Sequence, residues 1–599
     1  MRPFELLPQP FPCDYDPSEE DPLYFYKNFV KPMIPDMIQM MDTGLNIDPV
    51  AVEDLRVTID TVLENVAQKL SESLLVQQYQ KHVLPAAQKA YEEKCTQAIR
   101  TAEFYLKDYN GSMLHRTWVV NTYLAKKGKL EDIRDKWSFS DVKQYNVFAE
   151  SNFFSQLLNK SYYKFDERII EGMQALAEYK AELWNRPREE KAAIPVTIEP
   201  FNPGSAKQKQ EFFKMLGIDA LAESDKTGDA SWGRDQIEEL LEITPDPELK
   251  EVLKLFVDHS YGGIIKTTFL KAFDSYTIDG VLHGNVKLFG AKSYRPTSNS
   301  PNLLNMPSTG SIYAKPLKKC FIAPKGKVIL TADLEGLEDR GIANLSGDEN
   351  KIALFVDKLD GHSMSATYYF RDRLEALIGP YSDNRQASKD LHKLVKTGNL
   401  IAEAIRQDSK PVSFGLAYGA FPPKVAATIK CSVEEARRIF DAYHNELYPG
   451  ITNYRENYVL KTAKEQGYIH LGLGCRMYVS DAEKSIRTIA NATVQFWSIL
   501  TLIAVNELNH RIREAGFEEH IQVISTIYDS IYLQVTKEAH ILDWANRNLI
   551  EVMTVQWLED EVVHNAASAQ VGYNWADLHK VPNNALPEEI EMILEKLDE

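Results

Sequence analysis

Two stretches of this 599-residue chain are continuous runs of β-branched and aromatic residues, and much of the remainder repeats at helical spacing. KVILTADLEG (327–336) and IQVISTIYDSIYLQV (521–535) are the clearest strands. Between 31 and 100 the apolar positions turn helical, with Leu63, Val66 and Leu70 on one face, and 235–273 continues the pattern. EPFNPGSAKQKQEFFKMLG (199–217) predicts a turn, a serine cap and an amphipathic helix. Near the C-terminus, Ile590, Ile593, Leu594 and Leu597 form an apolar face on an acidic background, which predicts a helix docked on the body. Residues 1–30 are rich in proline and acid and predict an extended, exposed segment. The fold class expected is α+β and helix-rich.

Each strand carries one aspartate among apolar neighbours: Asp333 in the first, Asp529 in the second. A buried carboxylate is costly unless a partner or a metal compensates it. Two carboxylates brought together by a sheet can hold two divalent ions for in-line phosphoryl displacement, and oxygen ligands suit magnesium. Between the strands, RQDSKPVSFGLAYG (406–419) places Arg406, Lys410, Phe414 and Tyr418 four residues apart. On a helix they form one oblique stripe. Cations first and a ring beyond is an order that suits a nucleoside triphosphate. An ordinary helix with a solvated basic start fits the same pattern, and Pro411 argues for a kink.

Charge and composition narrow the field. A net charge of −18 argues against a generic basic nucleic-acid coat, though local patches exist. KPLKKCFIAPKGK (315–327) holds five lysines and no acid, and Lys287, Lys292 and Arg295 lie in a second acid-free stretch. A solvated surface accounts for both equally well. The aromatic-rich residues 101–165 could line a nucleic-acid groove, but aromatics at such spacing more often form core. Five scattered cysteines lack zinc spacing and suggest reduced thiols in a cytosolic setting. No apolar run reads as membrane-spanning, and the N-terminus lacks a signal pattern, so no membrane partner is expected.

Several motifs in order make the chain resemble a family A DNA polymerase of the bacteriophage type, from about residue 31 to 579. TADLEGLEDR resembles the first palm motif, RQDSKPVSFGLAYG the finger helix and TIYDS the second palm motif. FNPGSAKQ resembles the thumb signature, SYRPTSNSPNLLNMP the opening of the palm, and NWADLH the closing sequence. The resemblance implies a right-hand fold. Residues 31–273 would be thumb and N-terminal helices with a helical insertion at about 75–198. Palm would occupy 274–345 and 467–580, fingers 346–466, and a C-terminal helix 581–599.

It further implies that Asp333 and Asp529, with the Leu334 carbonyl, hold two Mg2+ ions, and that Asp333, Asp529 and Lys410 are the catalytic residues. Arg406, Lys410 and His362 would hold the triphosphate, Phe414 would lie against the sugar, and Tyr418 would sit where the templating base enters. Glu338 would block a ribose 2′-hydroxyl. Arg295, Asn302, Asn305, Arg487, Asn491, Gln495 and Tyr528 would contact DNA. Arg487, Asn491 and Gln495 share one helix face by spacing alone.

The sequence departs from the family at Tyr528-Asp529-Ser530, where His-Asp-Glu is common, and at Leu304, where a glutamine is usual. The partners implied are primer-template DNA and deoxynucleoside triphosphates in the cytoplasm. A proofreading exonuclease is expected on a separate chain, docking at the acidic start, and a processivity partner is a further candidate. A single-subunit RNA polymerase and an inactive DNA-binding scaffold are the alternatives. Glu338, Phe414 and the PNLLNMP stretch favour DNA, and Asp333, Lys410 and Asp529 together argue against a scaffold.

Overall fold

The computed structural model describes residues 2–11, 17–83, 85, 201–220, 232–307, 311–417, 420–429 and 431–598. The aromatic-rich stretch 101–165, nearly all of the expected insertion, and the acidic pair Asp14 and Asp16 lie outside the described residues. The chain divides into two compact units, one of residues 1–60 with 263–599 and one of residues 61–262. Residues 31–60, grouped with the thumb in the sequence, therefore cluster with the sheet.

In the larger unit, five antiparallel strands form one sheet: β1 (Lys327–Leu334), β2 (Ile521–Ile527), β3 (Ser530–Thr536), β4 (Ala567–Gly572) and β5 (His579–Val581), in the order β5-β4-β1-β3-β2. The sequence expects one strand over 521–535. The structure instead folds it into a hairpin, because Tyr528 and Asp529 form a two-residue turn with Tyr528 at φ 51°. β1 is central and buried on both faces, which its near-continuous apolar run requires. Val328, Leu330 and Ala332 join the main core. Thr331 pairs with Tyr532 in register, and the Tyr532 ring lies 4.4 Å from Trp575 of the NWADLH stretch.

The same unit contains α1 (Lys31–Thr43), α2 (Leu337–Ser346), α3 (Gly361–Tyr369), α4 (Asn384–Lys396), α5 (Leu400–Ala417), α6 (Ala482–Gln495), α7 (Ile499–Ala515), α8 (Ala539–Met553) and α9 (Pro587–Lys596). α5 runs through Pro411 without ending there. α1 and α7 are joined through Asp36, a buried carboxylate bonded by Asn506 at 2.5 Å and Asn509 at 3.1 Å. These bonds offset the desolvation of the charge.

The helical run Thr488–Ala515 is long and apolar enough to cross a membrane, contrary to the sequence expectation. Its apolar window is 83% buried inside the unit, so its hydrophobicity is spent on the core. α9 docks as expected, with Ile590 and Leu594 buried and Asp598 paired with Lys537 at 2.5 Å.

The N-terminal segment does not extend freely. Pro3–Leu6 forms a short 3-10 helix, Arg2 pairs with the buried Glu507 at 2.8 Å, and Gln9 bonds the backbone of Trp557 and Glu559. Its apolar residues Phe4, Leu6, Leu7 and Phe11 pack on the core, which outweighs the prolines' preference for extension. The lysine-rich stretch 315–327 is partly neutralised within the chain, since Lys315 and Lys319 lie 2.9 and 3.8 Å from Asp577.

In the smaller unit, Ser205 caps the helix Ala206–Met215 by accepting from the Gln208 amide, as the sequence predicts. Phe212 and Phe213 are fully buried, and Phe213 stacks on Trp232 at 3.9 Å. Phe201, Leu253 and Phe256 complete that core.

Trp497 and Trp557 are both wholly buried, with ring centroids 4.1 Å apart. Gly472 must be glycine beside them: it sits at φ 115°, and a Cβ there would lie 2.6 Å from the Trp497 ring. Trp497→Ala should therefore cost about 3–5 kcal/mol of stability. A denaturant titration reporting a loss below about 1 kcal/mol would show that this pair is not a core anchor.

Candidate active site

The site is built where β1 ends and the β2–β3 turn begins. In register, Asp333 faces Ser530, and the Leu334 amide donates to the Asp529 carbonyl at 3.1 Å. Two carboxylates distant in sequence are thus brought together, Asp333 near the end of β1 and Asp529 in the turn that leads into the neighbouring strand β3. The Ser530 hydroxyl donates to Asp333 Oδ1, so Ser530 acts as a hydrogen-bond donor where the family commonly has an acid. Asp529 Oδ1 is sealed from solvent and has no hydrogen-bond partner.

Burial raises the Asp529 carboxyl to about 6; Arg295 opposes the shift, while Asp333 and Glu338 add to it. An unpaired buried carboxylate oxygen beside a second carboxylate is the chemistry that a hard divalent cation satisfies. Among the described residues no group of three His, Cys, Asp or Glu side chains could hold a metal ion. Two carboxylates leave coordination positions for substrate oxygens, which is how Mg2+ is usually held at phosphate sites.

Beside this pair opens a cleft of about 350 Å3 whose lining includes Glu338, His362, Phe414, Asn491 and Asp529. Five residues singled out in the sequence therefore share one wall. α2 begins at Leu337 and places Glu338 in its first turn, where a carboxylate is favoured by the helix dipole. Arg295 donates to Glu338, and its guanidinium lies 5.5 Å from the Tyr528 ring centre. Phe414 projects from α5, 52% exposed, with its ring 6.1 Å from that of His362. Burial holds the His362 imidazole below its ordinary value, aided by Arg406 and Lys410 and opposed by Asp360.

α5 carries Arg406 half-buried and Lys410 exposed. Arg406 is held by Asp360, with Nε and Nη2 each donating at 3.0 Å. Asn302 and Asn305 stand at a short 3-10 turn away from the cleft lining; Asn302 Oδ1 is buried without a partner. Asn491 and Gln495 lie on α6 and are half-buried. Arg487 belongs to α6, but its side chain and the whole of Tyr418 lie outside the described residues. Leu304, at the position of the usual glutamine, is buried.

Sequence reasoning missed Asp360 and Lys351. Asp360 caps α3 by accepting from the Ser363 amide at 2.8 Å, and the Asp-Gly-His-Ser order is a legible cap signal. Lys351 lines the cleft, pairs with Asp339 at 2.6 Å and sits 5.2 Å from the Tyr448 ring centre. Nothing local in the sequence marks it.

The family model for DNA polymerase family A matches residues 173–577, beginning well after residue 31, where the motif resemblance starts. A thermostable DNA polymerase I from Thermus aquaticus is 27% identical over 355 residues, covering 57% of this chain and 38% of the relative. DNA polymerase I from Pseudomonas aeruginosa is 25% identical over 402 residues, covering 65% and 40%. The chain thus spans less than half the length of these curated relatives.

Among solved structures, the POL domain of Pol1 from M. smegmatis, in complex with DNA primer-template and dNTP, superposes with a TM-score of 0.52 at 24% identity. That likeness covers 67% of this chain and 66% of that one, and it carries the fold: helix-rich α+β with antiparallel sheets. With the family model matching well over half of its length, the chain belongs to DNA polymerase family A.

Proposed function

We propose that this chain adds deoxynucleotides to a primer 3′-hydroxyl under the direction of a template, releasing pyrophosphate. The observation that carries the proposal is the sealed, unpartnered Asp529 oxygen, on a residue that lines the cleft and adjoins Asp333. Asp333 and Asp529, with the Leu334 carbonyl, would hold two Mg2+ ions. When bound, these supply the charge that activates the 3′-oxygen and stabilises the leaving oxygens in an in-line displacement.

The rest is assigned to the chain's own side chains. Lys410 is exposed on α5, one turn before the cleft-lining Phe414, and offers a point charge to the leaving phosphates, while Arg406 offers the planar fork. Phe414 supplies an exposed ring for the deoxyribose, and Tyr418 is assigned to the templating base on the motif resemblance alone. Glu338, held by Arg295, fills the space that a ribose 2′-hydroxyl would need. Asn491, Gln495, Arg487 and Arg295 are assigned to the minor groove, where the near-common acceptors of all base pairs test shape more than sequence. Tyr528, at the exposed turn, takes the primer-terminal position. In this scheme the β1-to-β5 sheet is the palm, the region of α3 to α5 the fingers and the smaller unit the thumb.

Asp333→Asn or Asp529→Asn should each lower primer extension on the order of 100-fold or more, because each removes a charge that stabilises the transition state. Primer-template affinity, read by anisotropy, should stay within a few-fold. Extension at near the parental rate would show that the metal site is elsewhere.

Glu338→Ala should admit ribonucleotides in the same extension assay, with deoxynucleotide addition retained. Strict sugar selection in a variant that still extends primers would remove Glu338 from the role of gate.

Asp529 must be ionised to bind a cation, and its carboxyl titrates at about 6, so protons compete with metal below that value. The Mg2+ concentration giving half-maximal extension should rise about 4-fold when the pH is lowered from about 8 to about 5.5. A requirement that is flat across that range would contradict the assignment.

A further inference from the structure

Arg406 is the planar donor assigned to the triphosphate, yet two of its three nitrogens are already engaged. Nε and Nη2 both donate to Asp360, each at 3.0 Å, in a side-on pair. The pair is sheltered, with side-chain exposures of 22% for Arg406 and 16% for Asp360. Asp360 is itself fixed. It caps α3, and its Oδ1 also accepts from the Ser363 hydroxyl at 2.7 Å. His392 on α4 brings Nδ1, sealed and without a hydrogen-bond partner, to 3.9 Å from Asp360 Oδ1. Three elements therefore converge on one carboxylate: the start of α3, α4 and α5.

A carboxylate next to a polyphosphate site is electrostatically unfavourable, so its presence needs a compensating advantage. A side-on pair fixes the guanidinium plane by consuming one edge of the fork and leaves Nη1 on the other. A free arginine would lose rotamer entropy on gripping an anion; one already locked in the right plane loses little.

We propose that Asp360 is a positioning residue, which presents the free edge of Arg406 to the polyphosphate tail of the incoming nucleotide, with His392 closing the opposite side of the carboxylate. The proposal rests on the polymerase function above and names a residue in neither the sequence motifs nor the metal site.

Asp360→Asn is the discriminating variant, because asparagine caps a helix as well as aspartate does while the ion pair is lost. Steady-state extension should show KM for the deoxynucleotide raised about 3- to 10-fold, with kcat within 2-fold, as expected when one side chain must be ordered on binding. In an Arg406→Ala background, Asp360→Asn should add no further change. Thermal unfolding should be near that of the parent chain. Calorimetric titration with tripolyphosphate, which needs no turnover, should show the same weakening and the same coupling. A lower KM, an unchanged KM, or effects that multiply independently in the double variant would each overturn the inference. If the parent chain extends no primer, the polymerase function fails, while the tripolyphosphate titration still decides whether Asp360 sets Arg406.

Discussion

The site depends on a register. Ser530 stands opposite Asp333 across β3 and β1, and the β2–β3 turn carries Asp529 to the end of β1. A slip of one residue would send one aspartate to the other face of the sheet and separate the pair. Burial on both faces of β1 prevents that slip: Val328, Leu330 and Ala332 are committed to one side, while on the other the buried Thr331 faces Tyr532, whose ring packs on Trp575. The carboxylates repel each other and one is desolvated, so the sheet holds them together at a cost that a bound cation relieves.

Around that pair, charge is organised by pairing within the chain. Glu338 is held by Arg295, Arg406 by Asp360 and Lys351 by Asp339, so the charged wall is ordered before any ligand arrives. Lys410 is the exception among them, exposed and without an ion pair among the described residues. Ordering of this kind is what an electrostatic site requires, since groups already in place need not reorganise during reaction.

Much of this was legible in the sequence. β1, the helix through Arg406 and Phe414, the Ser205 cap and the docked C-terminal helix all follow from local pattern. The hairpin was not, because its turn is Tyr-Asp, with none of the glycine, asparagine or proline that usually punctuates a chain. Tyr528 adopts a positive φ because the pairing of β2 and β3 demands it, a tertiary constraint invisible to local propensity. Pro411 lies inside α5, which does not end there, and Val412 and Leu416 beyond it are buried. The N-terminal segment looked extended because composition does not reveal that Glu507, buried on α7, awaits Arg2. Asp360 and Lys351 were missed because their partners lie on other elements, although the cap at Asp360 carried a readable signal.

The central claim is that Asp333 and Asp529 together hold the catalytic metal. Its most direct test is anomalous diffraction from crystals of the chain with primer-template, a non-hydrolysable deoxynucleoside triphosphate and Mn2+ in place of Mg2+. The account predicts manganese peaks bound by carboxylate oxygens of both aspartates, with the sealed Asp529 oxygen among the ligands. A ternary complex whose manganese lies on other residues, with Asp529 left unligated, would contradict it.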